Sequence, residues 1–342
     1  MSQMTIKDIA RKAGVSTATV SRVINGTGNV NEEMKARVQA VIADSGFKPT
    51  FSARSLKVNK TFTIGLIVSD ISDRYYSLMT KAIANGLPST DYSLVVCNTD
   101  NSPEREKWYF DFLSCKQTDG IILNTCGGMD QEICELSQDI PIVLVNRRIP
   151  DLANPKAQLD FVGSDDFDGA VTMTNILLKN GHKRIGIING DVSVSSGQER
   201  LDGFYKAMSS AVIPPEQASL YVYNGKYDTD TGYSGIQQLL SRSPAPSAVL
   251  TMNDSITIGA LHYCQEHNVV IPDQLSLFAY GHVDNSELFA VPPTCISLNP
   301  NTIGLRAVQC LFERINNPMI KCREIIFSSS LLNGKSIKKI YE

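Results

Sequence analysis

The sequence lacks the features of a membrane protein and of an exported protein. None of its 342 residues belongs to an apolar run that approaches the roughly 18 residues a membrane helix needs. Met1 to Asp8 has neither the basic start nor the apolar core of a signal peptide. We therefore expect a cytoplasmic protein without a membrane partner.

Signatures of redox, metal and catalytic chemistry are missing as well. The eight cysteines are scattered, with no CxxC pair and no His cluster, so we expect reduced and mostly buried thiols. The chain has four histidines and none of the patterns GxxxxGK[ST], GxSxG or HExxH. Gly26-Thr27-Gly28 follows a helical pattern rather than a strand, so it is not a dinucleotide-binding loop. The sequence predicts no enzyme, no metal site and no cofactor.

Charge is distributed unevenly, although the formal net charge is only −3. Residues 1–60 contain ten Lys or Arg and four Asp or Glu, a balance of +6, which leaves −9 for the remaining chain. A basic segment on an acidic body is typical of a polyanion-binding module attached to another unit. A solvated basic face gives the same count, so the asymmetry needs support from motifs.

The first 46 residues predict three short helices with a tight turn between the first two. A side chain that can accept a hydrogen bond from the first N–H groups precedes each apolar helical pattern, and a glycine follows each. The predicted caps are Thr5, Ser16 and Asn31 at the helix starts and Gly14, Gly26 and Gly46 at the ends. This pattern indicates a helix-turn-helix, and the alternative is a plain three-helix bundle.

In a helix-turn-helix the second helix lies in the major groove of DNA. Arg22 can donate two hydrogen bonds to a guanine, which is worth about 1–3 kcal/mol of discrimination. Ala18 and the methyl group of Thr17 suit thymine methyl groups, while hydroxyl and amide side chains nearby suit phosphates. The predicted DNA-contacting residues of this head are Thr5, Ser16, Thr17, Ala18, Thr19, Ser21, Arg22, Asn25 and Asn29.

Several stretches of the chain resemble the LacI/GalR family of lactose- and purine-repressor-like regulators. They read TIKDIARKAGVSTATVSRVINGTGNV, FKPTFSARSLKVNKTFTIGLIVSD, GHKRIGIING, GQERLDGF and VPPTCISLN. The resemblance implies a hinge that becomes helical only on DNA, with a leucine wedged into a central CpG step. The matching residues are Leu56 and its neighbour Ala53. Pyrimidine–purine steps unstack at low cost, which suits such a wedge, and the alternative is a Leu56 that contacts its own domain.

Beyond Lys60, short β-rich apolar runs alternate with helical patterns, which predicts parallel sheets with helices on both faces. The predicted strands are Thr63–Ser69, Ser93–Asn98, Gly120–Asn124, Pro141–Asn146, Phe161–Ser164, Arg184–Asn189, Ala248–Met252 and Leu275–Tyr280. The helical patterns between them include Tyr75–Leu87, Asp168–Lys179, Gly197–Ser209, Gly232–Leu240 and Ile256–Glu266. Ligands of doubly wound sheets bind beyond the carboxyl ends of the strands, so the loops there are candidate sites.

The expected fold is an all-α helix-turn-helix head followed by two doubly wound parallel-sheet lobes. We place the head at residues 1–48, the hinge or linker at 49–61 and an effector-binding and dimerisation domain at 62–342. The resemblance implies that the last domain has the periplasmic-binding-protein type I fold. Its N-lobe is expected at about 62–162 and 296–322, and its C-lobe at about 163–295 and 323–342.

The resemblance also implies that the lobes clamp a small, carbohydrate-like effector. The matching side chains are Asp70, Tyr75, Asn146, Arg147, Arg200 and Asn253, and we add His282 as a further candidate. The alternative for each polar loop residue is a cap or turn former. Many relatives carry an acid after the aromatic residue of this region, where this chain has Gly281. With Arg147, Arg200 and His282 facing the cleft, we hypothesise an anionic effector such as a sugar acid or a phosphorylated sugar.

A palindromic double-stranded operator calls for a two-fold protein, so we expect a homodimer. The segment LLNGKSIKKIYE has no leucine heptads, which favours a dimer over a tetramer. Repression is the default expectation, and the sequence leaves open whether the effector induces or co-represses. The competing hypothesis is a transport-type binding protein, and the head and the missing signal peptide argue against it.

Overall fold

The computed structural model describes residues 4–25, 28–46, 60–88, 92–149 and 157–341. The chain divides into two compact units, Met1–Thr61 and Phe62–Glu342. Within the described ranges, none of the helices combines the length and apolar character that crossing a bilayer requires.

The first unit contains three helices, α1 (Ile6–Ala13), α2 (Thr17–Asn25) and α3 (Glu32–Ser45). The predicted caps are confirmed where the structure describes them. Thr5 and Asp8 form a reciprocal capping box at the start of α1, and Gly14 ends the helix in the left-handed conformation. The three helices enclose a small core that includes Ile9, Val20 and Val38.

The first lobe of the second unit is built on a six-stranded, all-parallel sheet. Its strands are β1 (Thr63–Val68), β2 (Ser93–Asn98), β3 (Gly120–Leu123), β4 (Ile142–Val145), β5 (Leu159–Ser164) and β11 (Glu324–Phe327), in the order β11-β5-β4-β3-β1-β2. The helices of this lobe are α4 (Arg74–Gly86), α5 (Pro103–Cys115), α6 (Asp130–Leu136) and α12 (Pro300–Asn316). Strand β1 is almost wholly buried, as expected of a strand covered on both faces.

The second lobe repeats this architecture. Its strands are β6 (Ile185–Asn189), β7 (Val222–Asn224), β8 (Ala248–Thr251), β9 (Ser276–Tyr280), β10 (Thr294–Ser297) and β12 (Ser330–Leu332), in the order β12-β10-β9-β8-β6-β7. Among the strands that the structure describes in this sheet, only β12 runs antiparallel to its neighbour. Its helices are α7 (Asp166–Lys179), α8 (Ser195–Ser210), α9 (Pro215–Ser219), α10 (Thr229–Leu240) and α11 (Asp254–Glu266). The predicted fold class, a helical head followed in the chain by two doubly wound lobes, is confirmed.

The lobe boundaries differ from those expected, because sheet membership depends on hydrogen-bond partners rather than on local pattern. Strand β5 continues in the first lobe to Ser164, two residues past the expected boundary at 162. Strand β10 pairs with β9 in the second lobe, so residues 296 and 297 do not belong to the first. Strand β11 pairs with β5 in the first lobe, which moves the last crossing from 322/323 to residues 328–329.

The expectation that the thiols are mostly buried is confirmed. None forms a disulfide, and all are buried except Cys115 and Cys322. Desolvation raises the pKa of the Cys264 thiol to about 11, so this group is neutral at physiological pH.

Candidate functional site

The α2 helix separates apolar and polar residues on opposite faces. Val20 is fully buried in the head core, whereas Thr17, Ala18 and Arg22 are exposed. These three residues are among those that sequence reasoning assigned to DNA contacts. A helix with this arrangement can lie in a major groove without opening the head.

The remaining predicted DNA-contacting residues differ in how they are engaged. The Thr5 hydroxyl is part of the α1 capping box, which gives it a structural task. The hydroxyls of Ser16 and Thr19 lie 2.9 Å apart, and Ser16 Oγ also accepts a hydrogen bond from Thr19 N. Asn29 is exposed and Ser21 is half-buried. Ala53, Leu56 and the side chain of Asn25 lie outside the described residues.

The two lobes face each other across a cavity of about 490 Å³. Residues after the carboxyl ends of strands from both sheets line it, as expected for doubly wound folds. All seven side chains predicted for effector binding line this one cavity: Asp70, Tyr75, Asn146, Arg147, Arg200, Asn253 and His282. Their contact with an effector stays a prediction.

Arg200 is held by a buried network within the second lobe. Its Nε and Nη2 donate to Asp166 Oδ1 at 3.1 and 3.0 Å, and its Nη1 donates to Met252 O at 2.5 Å. The guanidinium carbon lies 4.1 Å from the centre of the Tyr280 ring, whose hydroxyl also donates to Asp166. Burial opposes the charge of Arg200, yet the Asp166 carboxylate more than offsets it and raises the pKa of Arg200. The guanidinium is therefore already paired.

Arg147 follows β4 in the first lobe and has no salt-bridge partner among the described residues. Its Nη1 donates to Asn101 Oδ1 at 3.1 Å and to Thr125 O at 2.9 Å, while its Nε is buried without a hydrogen-bond partner. Glu106 is fully buried beneath this loop and accepts hydrogen bonds from Thr125 Oγ1 and Cys126 N. Glu106 therefore fixes the carbonyl that orients Arg147.

Three other predicted residues already serve the local fold. Asp70 accepts hydrogen bonds from the backbone and hydroxyl of Ser72. Asn253 caps α11. Asn146 adopts a left-handed φ of 62° and donates to the Tyr76 hydroxyl at 3.2 Å. Cap and turn roles of this kind were the alternative to effector binding in the sequence analysis. His282 is exposed where it lines the cavity.

The missing acid at Gly281 does not leave the cleft without carboxylates. Gly281 has a φ of +95°, and the nearest atom to a Cβ placed there is Asp254 N at 4.0 Å. Asp73 and Asp254 line the same cavity. Burial, with the charge of Asp254 next in size, raises the pKa of Asp73 to about 7. Because Arg200 is paired with Asp166, the anionic-effector hypothesis loses one of its two guanidinium groups.

Direct contacts join the two lobes beside the cavity. Arg74 of α4 pairs with Asp284 of the second lobe at 2.6 Å. Arg148, which follows β4, donates from its backbone to Ser195 Oγ at 2.9 Å and pairs with Glu199 at 3.0 Å. Polar contacts of this kind can break and reform, so they allow the two lobes to open and close around the cavity.

Sequence reasoning missed Tyr227, whose ring lies 5.4 Å from the guanidinium carbon of Arg147 and 5.8 Å from that of Arg200. Tyr227 follows β7, a strand of three residues, which is too short to be recognised from its pattern. It also missed Glu106, because a helical glutamate gives no sign that it is buried. The NGKY turn that precedes a predicted helix was the available signal for Tyr227.

Comparison with known proteins identifies similar chains over nearly the whole length. Residues 5–50 match the model of bacterial regulatory proteins of the lacI family. Residues 61–332 match the model of periplasmic binding proteins and the sugar binding domain of the LacI family. The HTH-type transcriptional repressor PurR of Mannheimia succiniciproducens is 33% identical, with 98% of this chain and 99% of that protein covered. PurR of Pasteurella multocida is also 33% identical, with 98% of each chain covered.

Solved structures show the same architecture. The lac repressor dimer bound to operator and the anti-inducer ONPF has a TM-score of 0.85 at 23% identity, covering 98% of this chain and all of that one. A putative ribose operon repressor from Burkholderia thailandensis has a TM-score of 0.70 at 26% identity, covering 79% of this chain and 98% of that one.

Proposed function

The chain belongs to the LacI family and is a DNA-binding repressor with an effector-binding domain, and we propose that it binds a palindromic operator as a homodimer under the control of a carbohydrate-like metabolite. The exposed face of α2 carries the DNA-binding part of this proposal, because it presents Thr17, Ala18 and Arg22 away from the head core. The cavity lined by both lobes supports the effector-binding part.

The effector would act by changing how the two lobes close. Arg74–Asp284 and Arg148–Glu199 span the lobes, so a ligand that prefers one closure shifts the spacing of surfaces that face the second subunit. That shift would bias whether two hinge segments fold together on DNA, which is allostery through an order–disorder element.

Selection of bound sequences from a random duplex pool tests the whole proposal. The enriched sites are expected to be palindromic with a CpG centre, and candidate sugars added to the pool should change the amount of DNA retained. Recovery of sequences without two-fold symmetry would contradict the dimeric operator.

Arg22→Ala is expected to relax specificity at one base pair of each half-site and to cost about 1–3 kcal/mol against the preferred operator. Arg37 is also exposed but lies on α3, so Arg37→Ala removes the same charge outside the recognition helix. The control is expected to leave the pattern of base preference unchanged, because it removes a positive charge outside the recognition helix. Competition binding on operator variants at two salt concentrations distinguishes the two patterns. Uniform weakening by Arg22→Ala would reassign Arg22 to a phosphate contact.

Leu56→Ala tests the hinge. Removing an apolar wedge is expected to reduce operator bending more than it reduces non-specific binding, because the kinked step is then unsupported. Energy transfer between dyes at the two duplex ends measures the bend. A Leu56→Ala variant that bends the operator as the parent protein does would show that the hinge assignment is wrong.

A further inference from the structure

Three carboxylates line the effector cavity without a salt-bridge partner among the described residues. Asp70 and Asp73 follow β1 in the first lobe, and Asp254 opens α11 in the second. Asp73 accepts a hydrogen bond from Tyr75 N at 2.7 Å, and Asp254 accepts one from Ser255 N at 2.9 Å. These backbone contacts leave lone pairs on both carboxylates for a donor in the cavity.

The guanidinium groups of the same cavity do not balance these charges. Arg74 pairs with Asp284, and Arg200 pairs with Asp166. Only the charge of Arg147 has no carboxylate of its own within the described part of the chain. Among the described residues, the cavity is therefore lined by more carboxylates than guanidinium groups that lack a salt-bridge partner.

Two further atoms point to a ligand in this cavity. Arg147 is 4% exposed, and its Nε has no hydrogen-bond partner among the described residues. The hydroxyl oxygen of Tyr75 is likewise buried without a partner. Buried polar atoms are almost always satisfied in native proteins, so orphaned atoms on residues that line a cavity indicate contacts made by something that binds there.

Asp73 and Asp254 come from opposite lobes, so closure of the cleft brings two like charges together. Burial is the largest cause that raises the pKa of both groups, and the charge of Asp254 adds to the effect on Asp73. Two half-buried carboxylates that line one cavity favour either a proton or a cation between them. A ligand nitrogen that donates to both would satisfy them through charge-assisted hydrogen bonds.

We infer that the effector is an amino sugar whose protonated nitrogen binds between Asp73 and Asp254, with an oxygen acceptor facing Arg147. This inference rests on the proposed function, because it names the class of metabolite that the same cleft binds. It is the opposite of an anionic effector, for which Asp70, Asp73 and Asp254 would be repulsive.

Calorimetric titration of the full chain at pH 7 with charge-matched sugars tests the inference. The gluco series consists of D-glucosamine, D-glucose and D-glucuronate, and the galacto series of D-galactosamine, D-galactose and D-galacturonate. One additional charge-assisted hydrogen bond corresponds to an affinity about 10-fold higher. We therefore expect the amine to bind about 10-fold more tightly than the neutral sugar in at least one series.

Asp73→Asn and Asp254→Asn should each remove this advantage. Asp73→Asn keeps an oxygen that can cap α4, so the helix retains its N-cap. Asp228→Asn is the matched control, since Asp228 caps α10 through Thr231 N and does not line the cavity. Urea denaturation of each variant verifies that it is folded.

The inference is overturned if neither amine binds, if a neutral or acidic sugar binds as tightly as its amine, or if the advantage of the amine survives both substitutions. Tight binding of a neutral or acidic sugar would leave the effector cleft in place and remove only the amino-sugar class. If the duplex selection with the parent protein enriched no palindromic operator, that result would instead contradict the proposed function.

Discussion

Asp160→Asn is expected to lower the free energy of unfolding of the effector-binding unit by about 3–5 kcal/mol, because it leaves buried guanidinium charge without a partner. Asp160 is fully buried, and Arg314, which is 1% exposed, donates to both of its oxygens at 2.8 and 2.9 Å. Arg323 donates to the same carboxylate from its backbone and its side chain. One carboxylate thus joins β5, α12 and the segment that enters β11.

Equilibrium unfolding in urea measures this loss. Asp273→Asn makes the same chemical change in an exposed pair, Asp273–Lys338, and should cost at most about 1 kcal/mol. Equal effects of the two substitutions would show that the buried network contributes little.

The pH dependence of this effect has a definite sign. Burial alone would raise the pKa of Asp160, but hydrogen bonds from Arg314 and Arg323 outweigh it and hold the pKa below 3.8. A carboxyl with a lowered pKa stabilises the fold above its unfolded pKa and loses that contribution as the pH falls through the folded value. The difference between the parent protein and Asp160→Asn should therefore be constant from pH 5 to 8 and shrink below pH 3.8.

Arg200→Met is expected to lower the free energy of unfolding by about 3 kcal/mol, because the Asp166 carboxylate is then buried with the Tyr280 hydroxyl as its remaining side-chain donor. Asp166 is 2% exposed, so its carboxylate has little contact with solvent while Arg200 is in place. The double variant Arg200→Met/Asp166→Asn should recover part of the loss, since it removes the unpaired charge.

A double-mutant cycle in urea gives the coupling energy between the two side chains. Sugar titrations of the same variants show whether Arg200 also contacts the effector. Unchanged stability combined with lost sugar binding would contradict the structural role and assign Arg200 to the ligand alone.

The helices of the head could be predicted from the sequence because the residues that cap them interact over only three or four positions. Thr5 and Asp8 satisfy each other within one turn, and Gly14 ends the helix through its own backbone freedom. The long strands were also placed within about two residues. The short elements were not: β7 has three residues, and its pattern cannot be distinguished from that of a loop.

The position of the cleft was predictable, but the state of its side chains was not. Polar residues after parallel strands must meet at one edge of a sheet, so the loops there were candidate sites. The family resemblance then pointed to individual side chains, and all seven predicted effector residues line one cavity. The sequence by itself determined the helical head, the two α/β lobes and the loops that face each other. Only the tertiary structure decided that Arg200 is paired with Asp166, that Arg147 has no salt-bridge partner among the described residues, and that Asp73 and Asp254 line one cavity from opposite lobes. These pairings join residues far apart in the chain, so they depend on lobe packing and closure, which local sequence pattern does not encode.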